Sequence, residues 1–211
     1  MSSASAELQL HIPLRIRSAV SLMAVRILPR SSLPDCGVTS IAMAAPTRVN
    51  VIKIIREKGK TKLVGYNSDI IGFTQSIEPL LESQHKKALI LGTGGASKAI
   101  FHGLKKLGLE AKFVSRKAQE GMLTYQELTP AIMEEYKVIV NCSPVGMYPR
   151  ADEFPDIPYE CLTPNHLLYD LLYNPDTTLF MKKGADKGAV VKNGLEMLLL
   201  QAFGAWDIWN K

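Results

Sequence analysis

One stretch decides the fold of this chain: Ala88-Leu89-Ile90-Leu91-Gly92-Thr93-Gly94-Gly95-Ala96-Ser97-Lys98-Ala99-Ile100. An apolar run passes into a glycine-rich turn and then into a segment of helical composition, the layout that opens a nucleotide-binding βαβ unit. Glycines let the backbone approach a pyrophosphate, and the N–H groups of the new helix point at its oxygens. The turn departs from plain G-x-G-x-x-G, because Ser97 stands at the third glycine and Gly95 is extra. An ordinary tight strand-to-helix turn is the alternative.

A basic pair follows the next predicted strand. Residues 110–117 read Glu-Ala-Lys-Phe-Val-Ser-Arg-Lys and end in Ser115, Arg116 and Lys117. In NAD sites an acidic residue near this point binds the ribose 2′-hydroxyl, whereas an arginine suits the 2′-phosphate of NADP. Arg116 offers a planar fork to phosphate oxygens, Lys117 a point charge and Ser115 a hydroxyl. A solvated basic loop is the alternative, and the position after the second strand favours NADP.

Composition excludes several classes of protein. The 211 residues suit one large domain or one and a half, and 46% hydrophobic with 21% charged residues is ordinary for a globular chain. The net charge of +5 is spread without a basic block, which gives no reason to expect a nucleic-acid partner. Cys36, Cys142 and Cys161 lie far apart and predict free thiols in a reducing cytoplasm and no metal site. No apolar run is long enough to predict a membrane span.

The use of basic residues changes at residue 49. Residues 1–48 contain five arginines and no lysine, whereas residues 49–211 contain three arginines and seventeen lysines. An Arg- and Ser-rich, acid-poor N-terminus is typical of a transit peptide, and a wrong-frame or wrong-start translation is the alternative that we favour. We expect this segment to be poorly ordered, with its arginines solvated. They include Arg15, Arg17, Arg26 and Arg30.

Strands alternate with helices from residue 49 onward. Residues 49–55 and 61–66 predict two strands, and a helix enters after Asn67-Ser68-Asp69 and ends near His85. Further strands are predicted at 88–91, 111–115, 138–140, 167–172 and 189–191, a short helix at 178–183, and a buried final helix at 195–209. We therefore predict an α/β fold, a Rossmann-like doubly wound parallel sheet with helices on both faces, plus a remnant of a second domain. The ligand should lie at the carboxyl ends of the strands.

Six motifs in chain order carry a family resemblance. They are Gly65-Tyr66-Asn67-Ser68-Asp69-Ile70-Ile71-Gly72-Phe73, Gly92-Thr93-Gly94-Gly95-Ala96-Ser97, Ser115-Arg116-Lys117, Asn141-Cys142-Ser143-Pro144-Val145-Gly146-Met147, Tyr173-Asn174-Pro175 and Asn193-Gly194-Leu195-Glu196-Met197-Leu198-Leu199-Leu200-Gln201. The first resembles the G-x-N-T-D-x-x-G-F signature of shikimate dehydrogenases, and the others follow in that family's order. This resemblance implies reversible, NADPH-dependent reduction of 3-dehydroshikimate to shikimate in aromatic amino acid biosynthesis.

The resemblance also implies roles for single residues. Asp69 matches the family's catalytic aspartate, which binds a ring hydroxyl and partners a lysine, and the other substrate contacts match Asn50, Tyr173 and Gln201. The cofactor positions match Gly92, Gly94, Gly95, Ala96 and Ser97 for the pyrophosphate, Ser115, Arg116 and Lys117 for the 2′-phosphate, and Leu171, Gly194 and Met197 beside the nicotinamide.

Each of three polar residues in the predicted substrate site also has a simpler structural interpretation. Asp69 before a helix is by itself an N-cap candidate, Asn50 could satisfy a strand edge, and Gln201 a backbone carbonyl. A polyhydroxylated ring nevertheless needs such paired donors and acceptors, and reduction of a ketone also needs a proton donor near the carbonyl oxygen.

The resemblance divides the chain and also shows what it lacks. We expect an atypical segment at 1–48, a remnant of the substrate domain with a linker helix at 49–85, an NADP-binding domain at 86–192, and a C-terminal helix at 193–211 packing back toward the substrate side. The family's N-V-T-x-P-x-K segment, with its acid/base lysine, has no legible counterpart in residues 1–48. The partner lysine of Asp69 is therefore absent, and a catalytically inactive NADP-binding module is the alternative to an active enzyme. The sequence leaves the oligomeric state open.

Overall fold

The computed structural model describes residues 38–43 and 48–211. The expectations for residues 1–37 and 44–47, including the four solvated arginines, lie outside the described residues. The strands are β1 Val38–Met43, β2 Val51–Glu57, β3 Lys60–Tyr66, β4 Lys87–Leu91, β5 Glu110–Ser115, β6 Leu123–Thr124, β7 Val138–Asn141, β8 Leu167–Asp170 and β9 Val190–Lys192. The helices are α1 Ser68–Ile77, α2 Gly95–Lys106, α3 Pro130–Glu135, α4 Leu179–Ala185 and α5 Leu195–Asn210.

The larger sheet has six parallel strands in the order β6-β5-β4-β7-β8-β9. The order reverses between β4 and β7, which is the arrangement of a doubly wound dinucleotide-binding sheet and confirms the predicted fold class. Apolar side chains cover both faces, because successive residues of a strand point to opposite sides. Leu89 and Leu91 of β4 pack in one core with α3 and α4, and Ala88 and Ile90 pack in a second core with α1 and α2.

A smaller sheet precedes the large one, in the order β1-β3-β2. β2 and β3 form a hairpin whose two loop residues, Lys58 and Gly59, have φ of 48° and 75°. Positive φ at both positions is what a two-residue hairpin turn of right-handed twist requires. β1 pairs with β3 in parallel. Within the segment that we expected to be poorly ordered, Val38–Met43 thus forms a strand that pairs with the other edge of β3.

The helix predicted after Asn67 ends earlier than expected. α1 ends at Ile77 and continues as one 3-10 turn, Glu78–Leu80. Pro79 stands in this turn and has no N–H to extend the α-helical pattern, so the helix cannot reach His85.

The final helix forms where predicted, but the expectation that it is buried is wrong. Its buried side packs against α1, whereas Leu199, Phe203, Trp206 and Trp209 are between 52% and 67% exposed. An apolar composition all round a helix does not say on how many sides it has neighbours. Within the ranges that the structure describes, no helix has both the length and the apolar character to cross a bilayer.

Candidate functional site

The glycine turn lies where the strand order reverses. The Gly92 N–H donates to the Val114 carbonyl at the end of β5, and the Cys142 N–H after β7 donates to Leu91, both at 2.9 Å. Gly92 has φ of +105°, which favours glycine, and a Cβ there would lie 3.4 Å from the Cys142 main chain. The turn therefore sits in the crevice at the carboxyl ends of three adjacent strands, the position of ligands in open α/β sheets.

Among the described residues, no side chain caps the N–H groups in the first turn of α2. Gly94 is the N-cap and supplies no side-chain hydrogen bond, and a Cβ built on it would meet nothing within 4 Å. Ser97 is buried, and its Oγ donates to the Gly94 carbonyl at 2.7 Å. The Ser97 hydroxyl, at the third-glycine position, thus stabilises the turn from its buried side. The other side of the turn remains accessible to an anion.

Ser115, Arg116 and Lys117 lie beside this turn. Ser115 is buried at the end of β5, and its Oγ accepts from the Lys117 N–H at 3.2 Å. Arg116 and Lys117 are exposed, and no described carboxylate forms an ion pair with either. Since Val114 is in register with Leu91, the basic pair and the glycine turn occupy neighbouring strand ends.

Four polar residues meet at the start of α1. The Asn50 side chain donates to Asp69 Oδ1 at 2.9 Å, and its Oδ1 accepts from the Ser68 N–H at 2.8 Å. The Ser68 Oγ donates to Gln201 Oε1 of α5 at 3.2 Å. We call Asn50, Ser68, Asp69 and Gln201 the polar cluster. It combines carboxylate, amide and hydroxyl groups, which suit a ligand carrying several hydroxyls.

The structure tests the simpler structural interpretations of Asp69 and Gln201. Asn67 is the N-cap of α1, and its side chain accepts from the Ile70 N–H at 3.3 Å, so the N-cap interpretation of Asp69 is wrong. Gln201 does satisfy a backbone carbonyl, because its Nε2 donates to the Leu198 carbonyl at 3.1 Å, while its Oε1 accepts from Ser68. Burial raises the pKa of the Asp69 carboxyl, and the hydrogen bond from Asn50 opposes that rise.

Curated shikimate dehydrogenases match the chain over most of its length. It is 35% identical to the NADP(+) enzyme of Carboxydothermus hydrogenoformans over 185 residues, which covers 81% of this chain and 65% of that relative. With the NADP(+) enzyme of Desulforamulus reducens it is 33% identical over 180 residues, covering 74% of this chain and 60% of the relative. This chain is homologous to the shikimate dehydrogenases. No protein-family model matches it.

Solved shikimate dehydrogenases share the fold. The shikimate 5-dehydrogenase of Thermus thermophilus, solved with NADP(H) and shikimate, is 26% identical with a TM-score of 0.65, covering 82% of this chain and 66% of that one. The match covers the C-terminal part of the family. The chain thus spans 60% to 65% of the length of the curated relatives it matches.

The positions that the family resemblance assigned beside the nicotinamide lie after β8 and at the start of α5. Leu171 is buried, and the Gly194 N–H donates to the Leu172 carbonyl at 2.9 Å. A Cβ on Gly194 would overlap the Leu171 main chain, which explains the glycine. Met197 is partly buried against the α1–α2 core. Tyr173 follows in the loop, and no hydrogen bond of the described residues joins it to the polar cluster.

Sequence reasoning missed two residues of the site. Ser68 occupies the threonine position of the G-x-N-T-D signature, so the motif could have identified it. Arg48 fell within the atypical segment, yet its Nη1 lies 3.2 Å from where a Cβ on Gly95 would be. Its carbonyl accepts from Asn67 Nδ2 at 2.5 Å. The only sequence signal for Arg48 is its place directly before Val49.

Asp170 is a buried carboxyl near the crevice that the motifs did not single out. It is fully buried at the end of β8 and accepts hydrogen bonds from Thr178, Leu172 and Asn141. Burial raises the pKa of Asp170 from 3.8 to about 6, and the three hydrogen bonds lower it in part. Ionised Asp170 is therefore less favourable in the folded chain than in the unfolded one.

The raised pKa of Asp170 makes stability depend on pH. Between about pH 4 and 6 the folded state binds more protons than the unfolded state, so the free energy of unfolding falls as pH rises. The titration of Asp170 alone lowers the free energy of unfolding by about 2 kcal/mol between pH 4.5 and 7. We expect Asp170→Asn, which cannot ionise, to lose that difference in urea unfolding at the two pH values. The exposed Asp152→Asn is the control, and an unaltered pH dependence in Asp170→Asn would contradict the assignment.

Proposed function

We propose that this chain binds NADP(H) at the glycine turn and catalyses the reversible reduction of 3-dehydroshikimate to shikimate with substrate held at the polar cluster. The single observation that carries the proposal is the closeness of the two sites. The Arg48 Nη1 lies 3.2 Å from the position that a Cβ on Gly95 would take, and Asn50 of the polar cluster stands two residues later. Two residues of chain span at most about 7 Å, so the Arg48 side chain and two residues of chain connect the cofactor turn to the polar cluster.

The cofactor half of the proposal follows from charge and shape. The N–H groups in the first turn of α2, which no described side chain caps, suit a pyrophosphate, and Arg116 with Lys117 suits a 2′-phosphate. The relatives named above are NADP(+) enzymes, which supports the same choice. When bound, NADPH would supply the hydride that converts a ketone into an alcohol.

The substrate half follows from the polar cluster. Asn50 and Gln201 each provide a donor and an acceptor, and Asp69 provides an acceptor whose Oδ2 is not used by Asn50. These groups would hold ring hydroxyls and fix the carbonyl toward the cofactor. In the division that we propose, residues 86–192 bind NADP, and residues 49–85 with 193–211 form the substrate side. The packing of α1 on α5 supports this division.

A second candidate function rests on the missing acid/base lysine. The sequence has no lysine before Lys53, and no described lysine forms an ion pair with Asp69. Reduction of a ketone needs a proton donor at the oxygen, so the alternative is an NADP-binding module without catalysis.

The compartment that we propose is the cytoplasm, in which the free thiols Cys142 and Cys161 would stay reduced.

Two measurements on the 211-residue chain test these functions. Titration with NADPH and NADH, followed by cofactor fluorescence, should show tighter binding of NADPH. Turnover of shikimate with NADP, followed at 340 nm, should exceed the rate without protein. Binding without turnover would support the module, and no preference for NADPH would contradict the cofactor site.

A further inference from the structure

The carboxylate of Asp170 collects three hydrogen bonds inside the large sheet. Its Oδ1 accepts from Asn141 Nδ2 and from the Leu172 N–H, both at 3.1 Å, and its Oδ2 accepts from the Thr178 hydroxyl at 2.6 Å. Asp170 is fully buried. No buried side-chain nitrogen or oxygen in the described part of the chain lacks a hydrogen-bond partner. The Asp170 carboxylate and the side chains that donate to it are therefore all satisfied.

Asn141 extends this connection to a second loop. Its Oδ1 accepts from the Ser143 N–H at 3.0 Å and from the Ser143 hydroxyl at 2.7 Å. Its Nδ2 also approaches the Val145 carbonyl at 3.4 Å. One buried carboxylate thus fixes the loop after β8 directly and the loop after β7 through Asn141.

Both loops belong to one half of the crevice. A doubly wound sheet binds a dinucleotide across two halves, one on each side of the switch point. The glycine turn and the basic pair stand on the β4–β5 side, and the two loops stand on the β7–β8 side. The loop after β8 also carries Leu171, whose main chain contacts Gly194 at the start of α5.

We propose that Asp170 is a positioning residue that fixes the two loops on which the nicotinamide half of NADP(H) rests, without itself touching the cofactor. This inference rests on the proposed NADP(H) site. A carboxylate suits the role because it can accept from all three donors at once. An asparagine keeps the oxygen that faces Asn141 and Leu172, with its amide group toward the Thr178 hydroxyl. An alanine leaves all three donors without this acceptor.

Two ligands separate this role from a general structural one. NADPH spans both halves of the crevice, whereas 2′,5′-ADP carries the adenosine and the 2′-phosphate but no nicotinamide. We expect Asp170→Ala to weaken NADPH binding about tenfold and to leave 2′,5′-ADP binding within about twofold. Asp170→Asn should recover most of the NADPH affinity. Titration calorimetry at pH 7.5 measures both dissociation constants.

Each other outcome has a definite meaning. Unchanged NADPH affinity in Asp170→Ala, or equal losses for both ligands, would overturn the positioning role while the NADP(H) site stands. A wild-type chain that binds neither ligand would overturn the proposed function and this inference with it. If Asp170→Ala does not fold, Asn141→Ala cuts the connection to the Ser143 loop alone, and the same split between the two ligands is expected. Its absence there would overturn the inference.

Discussion

Replacing Arg116 with alanine is expected to weaken NADP binding by about 10- to 100-fold and to leave NAD binding within about twofold. The guanidinium is exposed beside the glycine turn and makes no ion pair with a described carboxylate, so it is available to a 2′-phosphate. Charge-assisted hydrogen bonds to phosphate are stronger than neutral ones, and NAD offers only a hydroxyl at this place. Titration of the variant with NADP and NAD measures the difference.

Two controls sharpen the Arg116 experiment. Arg56→Ala removes another exposed arginine, on the β2–β3 hairpin, and should leave both cofactors unaffected. Arg116→Lys keeps the charge but loses the planar fork, and should recover only part of the NADP affinity. Equal losses of NADP and NAD in Arg116→Ala would rule out a contact with the 2′-phosphate.

Gly72→Ala is expected to lower the free energy of unfolding by about 2–3 kcal/mol and to disturb the polar cluster. A Cβ on Gly72 would lie 2.5 Å from the Met197 carbonyl oxygen and 2.8 Å from the Gln201 nitrogen. Both are main-chain atoms of α5, so the helices must separate, and Gln201 moves away from Ser68. This cost exceeds the gain of about 1 kcal/mol that alanine normally brings to a helix interior.

Gly204→Ala is the matched control for Gly72→Ala. It adds the same group at the same α1–α5 interface, but there the three atoms nearest to the Cβ all belong to the Ile71 side chain, the first at 3.3 Å. That side chain can shift, so we expect little or no loss of stability. Urea unfolding followed by far-ultraviolet circular dichroism measures both variants. Equal stability losses would show that the contact with the α5 main chain is unimportant.

The parts of the site that depend on local sequence patterns could be predicted from the sequence. β4, the glycine turn and Arg116 are continuous in the chain, and a short apolar run that ends in glycines indicates a buried strand and its turn. The Asn141–Asp170 connection was not predictable in this way, because Asp170 ends an ordinary apolar strand and its partners come from two other segments. Arg48 was missed for a different reason, since its approach to Gly95 brings together two segments that are far apart in the sequence.

For the final helix, the sequence predicted the secondary structure but not the burial. Its residues predicted a helix correctly, but not its surroundings, because composition does not reveal that α1 covers one side only. Likewise, Val38–Met43 carries no motif of its own and becomes a strand through the edge of β3. Burial and pairing of this kind are tertiary properties, and they are decided by neighbours that a single segment does not contain.

The outward face of α5 also determines what intrinsic fluorescence reports. The chain has two tryptophans, Trp206 and Trp209, and both stand on this face at 63% and 56% exposure. The Trp209 Nε1 donates to the Ile52 carbonyl of β2 at 3.1 Å, so its emission also senses the hairpin. Tryptophan emission therefore follows the last helix and says little about the six-stranded sheet. An unfolding curve from tryptophan fluorescence would describe detachment of α5 unless a second probe is placed in the nucleotide-binding half.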